Sequence, residues 1–374
     1  MFSQLANFMA GNAVGVVAMI LGFAFLILVH ELGHWLVARA FGFKTPVFSI
    51  GFGKREWSWV LGTWWETEFR ISPILLGGYV KIPELTDESA LGKDKSELEA
   101  PVKQFPVWQK IAVALAGVTM NMLLAFVMIA SLFAFIGRPT AGDVQYTAIG
   151  ELSQQVTIAR DAGLQTGDRI VSIDGAPVTT PEDAINAIKS HPGQEVVFVV
   201  DRSGKQSEIH VTPGPDGRIG IALNPQVTIV YEKQPLGTAI VDGIKTTGTQ
   251  TVAMFKGIGM MVGLVEKPQG LPDGATDVHG VVGIVQIGAQ MFEQSMFAFI
   301  WLLAMLNINL AIMNVLPLPL LDGGHVVFFA VEGIRGKPVS PVFKERLYRI
   351  TFALLMGLML FALFNDIFNP VKLP

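Results

Sequence analysis

Residues 13–34 read AVGVVAMILGFAFLILVHELGH, and the last five, His30-Glu31-Leu32-Gly33-His34, put chemistry into an apolar run. No charged residue occurs from Ala13 to Val29; two imidazoles and a carboxylate follow at once. On a helix, residues four apart share a face, so His30 and His34 aim at one point, with Glu31 one step round. Charged groups at membrane depth cost about 2.5–3.5 kcal/mol each, so they mark a functional site by default. Two histidines and one further carboxylate make a zinc site whose fourth position is open, and a glutamate beside it is placed to move a proton.

The composition agrees with a chain that lives in lipid. Of 374 residues, 51% are hydrophobic and only 16% charged. Mean hydropathy is +0.48. These values describe an integral membrane protein with a soluble insert. The net charge of −4 and the lack of a basic surface argue against a nucleic-acid partner. Cysteine is absent, which excludes disulfides and thiolate metal sites and leaves His, Asp and Glu as the ligands. Residues 1–29 hold no Lys or Arg, so the N-terminus is not expected to be a signal peptide.

Four segments are long and apolar enough to cross a bilayer, which takes about 20 residues: residues 14–38, 107–136, 296–321 and 348–368. Between the first two, residues 47–53, 57–69 and 78–82 are aromatic, β-branched and broken by glycine, which predicts short strands and hairpins at the membrane surface. Residues 85–103 are charged and read as a loop. The long insert, residues 137–295, begins with a β-rich stretch at 143–225, where Asp174-Gly175 marks a hairpin turn and residues 181–190 a short helix. Strands are expected at 195–201 and 208–212. Residues 235–265 suggest a helix lying on the membrane, and residues 267–280 a loop.

Lysine and arginine set the orientation. Arg39, Lys44, Lys54, Arg55, Arg70 and Lys81 follow the first span; Arg335, Lys337, Lys344, Arg346 and Arg349 follow the third. The positive-inside rule puts both loops in the cytoplasm and the insert outside. His30, His34 and Asp322 then fall at similar depth. Asp322 ends the stretch Asn314-Val315-Leu316-Pro317-Leu318-Pro319-Leu320-Leu321-Asp322-Gly323-Gly324, whose prolines break the helix. On composition alone His325 competes with Asp322 as third ligand. Asn121, Asn307, Asn309 and Asn314 are polar groups inside spans, read either as bonds between helices or as contacts to a substrate backbone. His191, His210 and His279 lie in the insert and read as ordinary surface residues.

These residues resemble the site-2 protease family of intramembrane zinc metalloproteases, and within it the bacterial branch that regulates sigma-E. His30 to His34 fits the family's HExxH, and Asn314 to Gly323 its NxxPxPxxDG. The resemblance implies that Asp322 is the third zinc ligand, with His325 outside the set, and that Glu31 is the catalytic base. Phe48 to Gly53 and Gly77-Gly78-Tyr79-Val80-Lys81 look like the family's membrane-associated β segments. The resemblance implies that Gly78, Tyr79 and Val80 pair with an unwound substrate and that Asn314 contacts its backbone. Ala159 to Gly175, with Ala162 to Ile170 inside it, looks like part of a PDZ domain of the bacterial protease type, in one copy where some relatives carry two. At Ala116-Gly117-Val118-Thr119-Met120-Asn121 the proline usual after the glycine is missing, but Gly117 and Asn121 remain, so a close approach of helices is expected there.

The implied fold is an α-helical multi-pass membrane protein of about four spans, with membrane-associated β segments and an inserted α+β PDZ domain. The implied division is residues 1–136 with the first two spans, 143–225 as the PDZ domain, 226–295 as a membrane-surface connection, and 296–374 with the last two spans. The implied activity is zinc-dependent cleavage of single-span membrane proteins within the lipid bilayer, such as anti-sigma factors or remnant signal peptides, near the cytoplasmic side of a bacterial inner membrane. The PDZ domain would contact substrate ends or a partner protein from the periplasmic side. The alternative is a zinc transporter or PDZ scaffold using the same ligands without proteolysis; a glutamate between the histidines favours the enzyme.

Overall fold

The computed structural model describes residues 11–85, 104–153, 155–261, 263–266 and 280–368. The chain divides into two compact units, Met1–Phe135 with Gln234–Pro374, and Ile136–Lys233. The expected loops at 85–103 and 267–280 lie almost wholly outside the described residues, as does His279.

The first unit is built on helix α1 (Ala13–Phe41), 29 residues that end at Gly42 in the left-handed region. At 1.5 Å per residue it is about 43 Å long, more than a bilayer core of about 30 Å. Four strands follow: β1 (Val47–Phe52), β2 (Trp59–Trp64), β3 (Thr67–Ile71) and β4 (Ile74–Lys81). They form a sheet in the order β2-β3-β1-β4. β1 and β3 run parallel, and the other pairs are antiparallel. The apolar run at 57–69 resolves into two strands joined by Trp65 and Glu66, both with positive φ. Trp35 on α1 donates from Nε1 to Thr67 Oγ1 at 3.0 Å, and Thr45 Oγ1 lies 2.9 Å from the same atom, which ties the sheet to the helix one residue past His34. Among the described residues β4 is an edge strand.

Helix α2 (Val107–Ser131) continues into a π-helical turn, Leu132–Ile136. The C-terminal helices of this unit are α5 (Leu236–Met261), α6 (Val281–Gln294), α7 (Met296–Val315), α8 (Asp322–Arg335) and α9 (Pro341–Phe368). Among the described residues, four helices are long and apolar enough to cross a membrane: Ala13–Phe41, Val107–Ile136, Met296–Val315 and Pro341–Asp366. The third is shorter than its apolar run, because residues 316–321 form a proline loop in which Leu320 adopts φ +78°. The fourth begins seven residues earlier than expected, at Pro341. Helix α5 docks on α2 and α7, with its small residues Ala239 and Gly243 buried; a Cβ on Gly243 would stand 2.9 Å from the Ala130 methyl.

The second unit contains β5 (Arg138–Leu152), α3 (Ile158–Asp161), β6 (Arg169–Ile173), β7 (Ala176–Pro177), α4 (Pro181–Lys189), β8 (Val196–Arg202), β9 (Lys205–Val211) and β10 (Ile221–Glu232). The sheet order is β10-β5-β6-β8-β9, with β7 paired to β6. Asp174 and Gly175 both have positive φ at the β6–β7 turn, as a tight hairpin requires. Thr180 and Asp183 close a capping box at the start of α4. Ile149, Leu164, Ile170, Ile173 and Phe198 fill the core. Beside it the buried Asp168 carboxylate accepts from Arg202 Nε and Nη2 at 2.7 and 2.8 Å and from the Gln165 amide at 2.9 Å. Burial pushes this carboxyl upward, but the guanidinium and the amide outweigh it and hold it below its ordinary value. The paired strands β5 and β10 extend past residues 143 and 225 at both ends.

Candidate metal centre

His30 and His34 occupy successive turns of α1, and Asp322 is the first residue of α8. The proline loop delivers Asp322: the Leu321 amide bonds to the Leu318 carbonyl at 3.1 Å, and the Gly324 amide to the Leu321 carbonyl at 3.0 Å. Gly323 and Gly324 pack against the carbonyls of residues 315, 316 and 318, where side chains would not fit. The three ligand atoms converge. His30 Nε2 lies 3.2 Å from His34 Nε2 and 3.2 Å from Asp322 Oδ2, and His34 Nε2 lies 3.4 Å from Asp322 Oδ2.

Those separations suit a zinc ion. Bonds of about 2.0–2.1 Å in a tetrahedron place neighbouring ligands about 3.3–3.4 Å apart. Asp322 Oδ2 is buried and makes no hydrogen bond. His34 Nδ1 sits 2.8 Å from the Val113 carbonyl, an acceptor, so in the neutral ring the proton is on Nδ1 and Nε2 is bare. The bare His34 nitrogen thus faces a buried carboxylate oxygen with His30 Nε2 beside both, an arrangement that a cation between them satisfies.

Helix α2 forms the floor. Val113, Gly117 and Asn121 are four apart and share one face. A Cβ on Gly117 would lie 2.6 Å from His30 Cε1 and 2.8 Å from His30 Nε2, so only glycine lets both rings rest on this helix. Asn121, fully buried, places Nδ2 3.1 Å from His30 Nδ1. The sequence pointed to Gly117 and Asn121 as helix-packing residues; their contact with the histidines appears only when α1 and α2 are brought together.

A cavity of about 740 Å³ opens at these ligands. Gly77, Gly78, Tyr79 and Val80 of β4 line it together with Glu31, and so do Asn314 and His325. Glu31 lies within reach of the Val80 backbone N–H. A Cβ on Gly78 would stand 3.1 Å from Glu31 Cγ. His191 and His210 belong to the second unit, and the cluster to the first.

A multi-span membrane protein with a largely buried His-His-Asp cluster and an adjacent glutamate has the architecture of a membrane-embedded metalloprotease. The model of peptidase family M50 matches residues 18–358. Zinc metalloprotease RasP of Geobacillus kaustophilus is 30% identical over 424 residues, covering 94% of this chain and 97% of its own length. Two more relatives, whose names group them with zinc metalloproteases, come from Agrobacterium fabrum and Nostoc. They are each 32% identical, over 377 and 359 residues, and each match covers 94% of this chain and 95% of the relative. The chain belongs to peptidase family M50, the site-2 proteases. It is an intramembrane zinc metalloprotease of bacterial type, and its family cleaves membrane proteins within the bilayer. Nothing in these matches supports the transporter or scaffold reading.

Proposed function

We propose that His30, His34 and Asp322 hold the zinc and that Glu31 is the general base of peptide-bond hydrolysis. The convergence of three ligand atoms from two distant helices, with Glu31 lining the same cavity, carries this reading. Bound there, zinc supplies Lewis-acid chemistry, polarising the scissile carbonyl and making a water molecule acidic enough to react near neutral pH. Glu31 takes the proton from the attacking water and returns it to the leaving amine nitrogen. The apolar wall of Phe23, Ile27, Leu310 and Leu355 keeps bulk water from the reacting bond. Glu31→Gln keeps the shape and loses the base: cleavage should fall by at least about 100-fold while zinc content by mass spectrometry stays near one per chain. Near-normal turnover would remove Glu31 from the role.

A helical substrate hides its peptide bonds in its own hydrogen bonds, so the reacting stretch must be extended. The open edge of β4 offers the partner strand. Because the Val80 N–H is turned toward Glu31, the Gly78 N–H, two residues away, faces the same open edge. Asn314, at the end of α7, lines the same cavity and in this reading holds the substrate backbone. Proline scanned through a substrate around the cut bond should inhibit at alternate positions, because only every second N–H meets β4. Inhibition without that period of two would count against strand pairing.

The substrates fitting this site are single-span proteins, including anti-sigma factors and remnant signal peptides, cut near the cytoplasmic face of the inner membrane. The exposed Trp57, Trp59, Trp64 and Trp65 suit a sheet at the lipid–water interface. The second unit, with its β-rich core and short capped helix, serves as a PDZ-type filter on the periplasmic side that reads substrate ends or a partner. Deleting residues 143–225 should raise cleavage of long substrates relative to truncated ones; equal effects on both would leave the unit a spacer.

A further inference from the structure

The His30 ring needs more than its place on α1. A histidine that presents bare Nε2 to a cation carries its proton on Nδ1, and Nδ1 then requires an acceptor. The group beside it is the Asn121 carboxamide, with Nδ2 3.1 Å away and Oδ1 buried without a partner. In that orientation the amide donates to Nδ1 and leaves the ring proton on Nε2, pointing at the other ligands. A half-turn about Cβ–Cγ exchanges oxygen and nitrogen at the same outline. Oδ1 then accepts from Nδ1–H and gains the donor it lacks.

We infer that Asn121 is a positioning residue for the zinc site, accepting from His30 Nδ1–H through Oδ1 when metal is bound and so keeping Nε2 bare. The inference rests on the reading of His30 as a ligand. His34 meets the same need through the main chain, 2.8 Å from the Val113 carbonyl, so one face of α2 fixes both rings. Asn307 braces this face from the third span: it is fully buried and donates from Nδ2 to the Asn121 backbone carbonyl at 2.7 Å. That bond depends on the main chain of residue 121, so changing the Asn121 side chain leaves it in place. A bare amide in an apolar span is costly, and this pairing gives it a purpose beyond helix association.

The test is zinc affinity of the full-length protein by chelator competition, with the visible absorption of the Co²⁺-substituted protein as a second readout. Asn121→Leu, or Asn121→Ala where leucine impairs folding, should weaken zinc binding about 10–100-fold. Asn121→Asp, which can still accept from Nδ1–H, should hold affinity within a few-fold of the parent and shift the Co²⁺ bands. Parent-like affinity and an unchanged Co²⁺ spectrum in both apolar variants would overturn the inference. So would a lower melting temperature of the chelator-treated protein with no loss of affinity, since that is packing alone. His30→Ala separates the two layers. If it binds zinc like the parent, the ligand reading itself fails; if it loses zinc while the Asn121 variants do not, only the role of Asn121 fails.

Discussion

At position 117 the absence of a side chain matters as much as the presence of the histidines. A methyl there would press into His30 from 2.6 Å and reach His34 as well. Alanine is the better helix former by about 1 kcal/mol, so the helix itself gains from the change while the rings must move off it. Gly117→Ala should therefore cut zinc affinity by at least about 10-fold, and cleavage with it, while the apo protein melts within a few degrees of the parent. Chelator competition and a melt in detergent check both halves; intact affinity would mean that the rings yield without cost. The histidines were legible in the sequence because charge in an apolar run is conspicuous, whereas Asp322 was set apart from His325 only by the resemblance. Gly117 was legible only as a close approach of helices, because a glycine announces room and not what fills it. His325 illustrates the opposite case: composition left it level with Asp322, and the structure places it along the cavity wall with its ring 6.2 Å from Phe329.

Among the elements, α8 matters most, since it carries Asp322 at its first residue and has to be held against α2. Lys110 of α2 and Glu332 of α8 do this with an ion pair of 2.8 Å whose side chains are 10% and 22% exposed. The Lys110 ammonium also lies 5.7 Å from the centre of the Phe329 ring. Removing one partner of a largely buried pair leaves a charge unpaired and costs about 3–5 kcal/mol, whereas replacing both with apolar residues is often neutral. Lys110→Met and Glu332→Met should each lower the melting temperature, and the double change should recover most of the loss. Additive losses would show that the two side chains act independently. None of this was readable beforehand, because the pair is separated by more than two hundred positions. The α8 start was hidden for another reason: residues 316–321 are as apolar as the helix before them, and only the prolines and the positive φ of Leu320 take the chain out of helix. Helix α6 drew no reading in the sequence, where Gly283 and Gly288 interrupt its apolar run. They are contact points instead, with Gly15 of α1 set against Ala289 and Met19 against Gly288.

For the molecule as a whole, the open matter is which side of the membrane each segment faces, and α5 decides the parity. With four spans, the loops after the first and third share a side and the insert takes the other, as the lysines and arginines require. Helix α5 has 26 residues, about 39 Å, long enough to cross but carrying Asp242, Lys245 and Lys256 and falling short of the apolar helices in hydropathy. It packs on α2 through Ala239 and Gly243, while Leu236, Ile244, Val252, Phe255 and Met261 remain exposed. Were α5 to lie along the interface, it would keep its apolar residues in lipid and its charges in water. The chain has no cysteine, so single cysteines report position without background. Gln206→Cys in the second unit, and Lys233→Cys and Glu266→Cys on either side of α5, should all react with a membrane-impermeant maleimide applied to intact spheroplasts. Lys337→Cys, between α8 and α9, should react only after the membrane is opened. Protection of Glu266→Cys beside a reactive Lys233→Cys would mean that α5 crosses the bilayer. The third span would then enter from the opposite face, and Asp322 could no longer meet His30 and His34 at one depth.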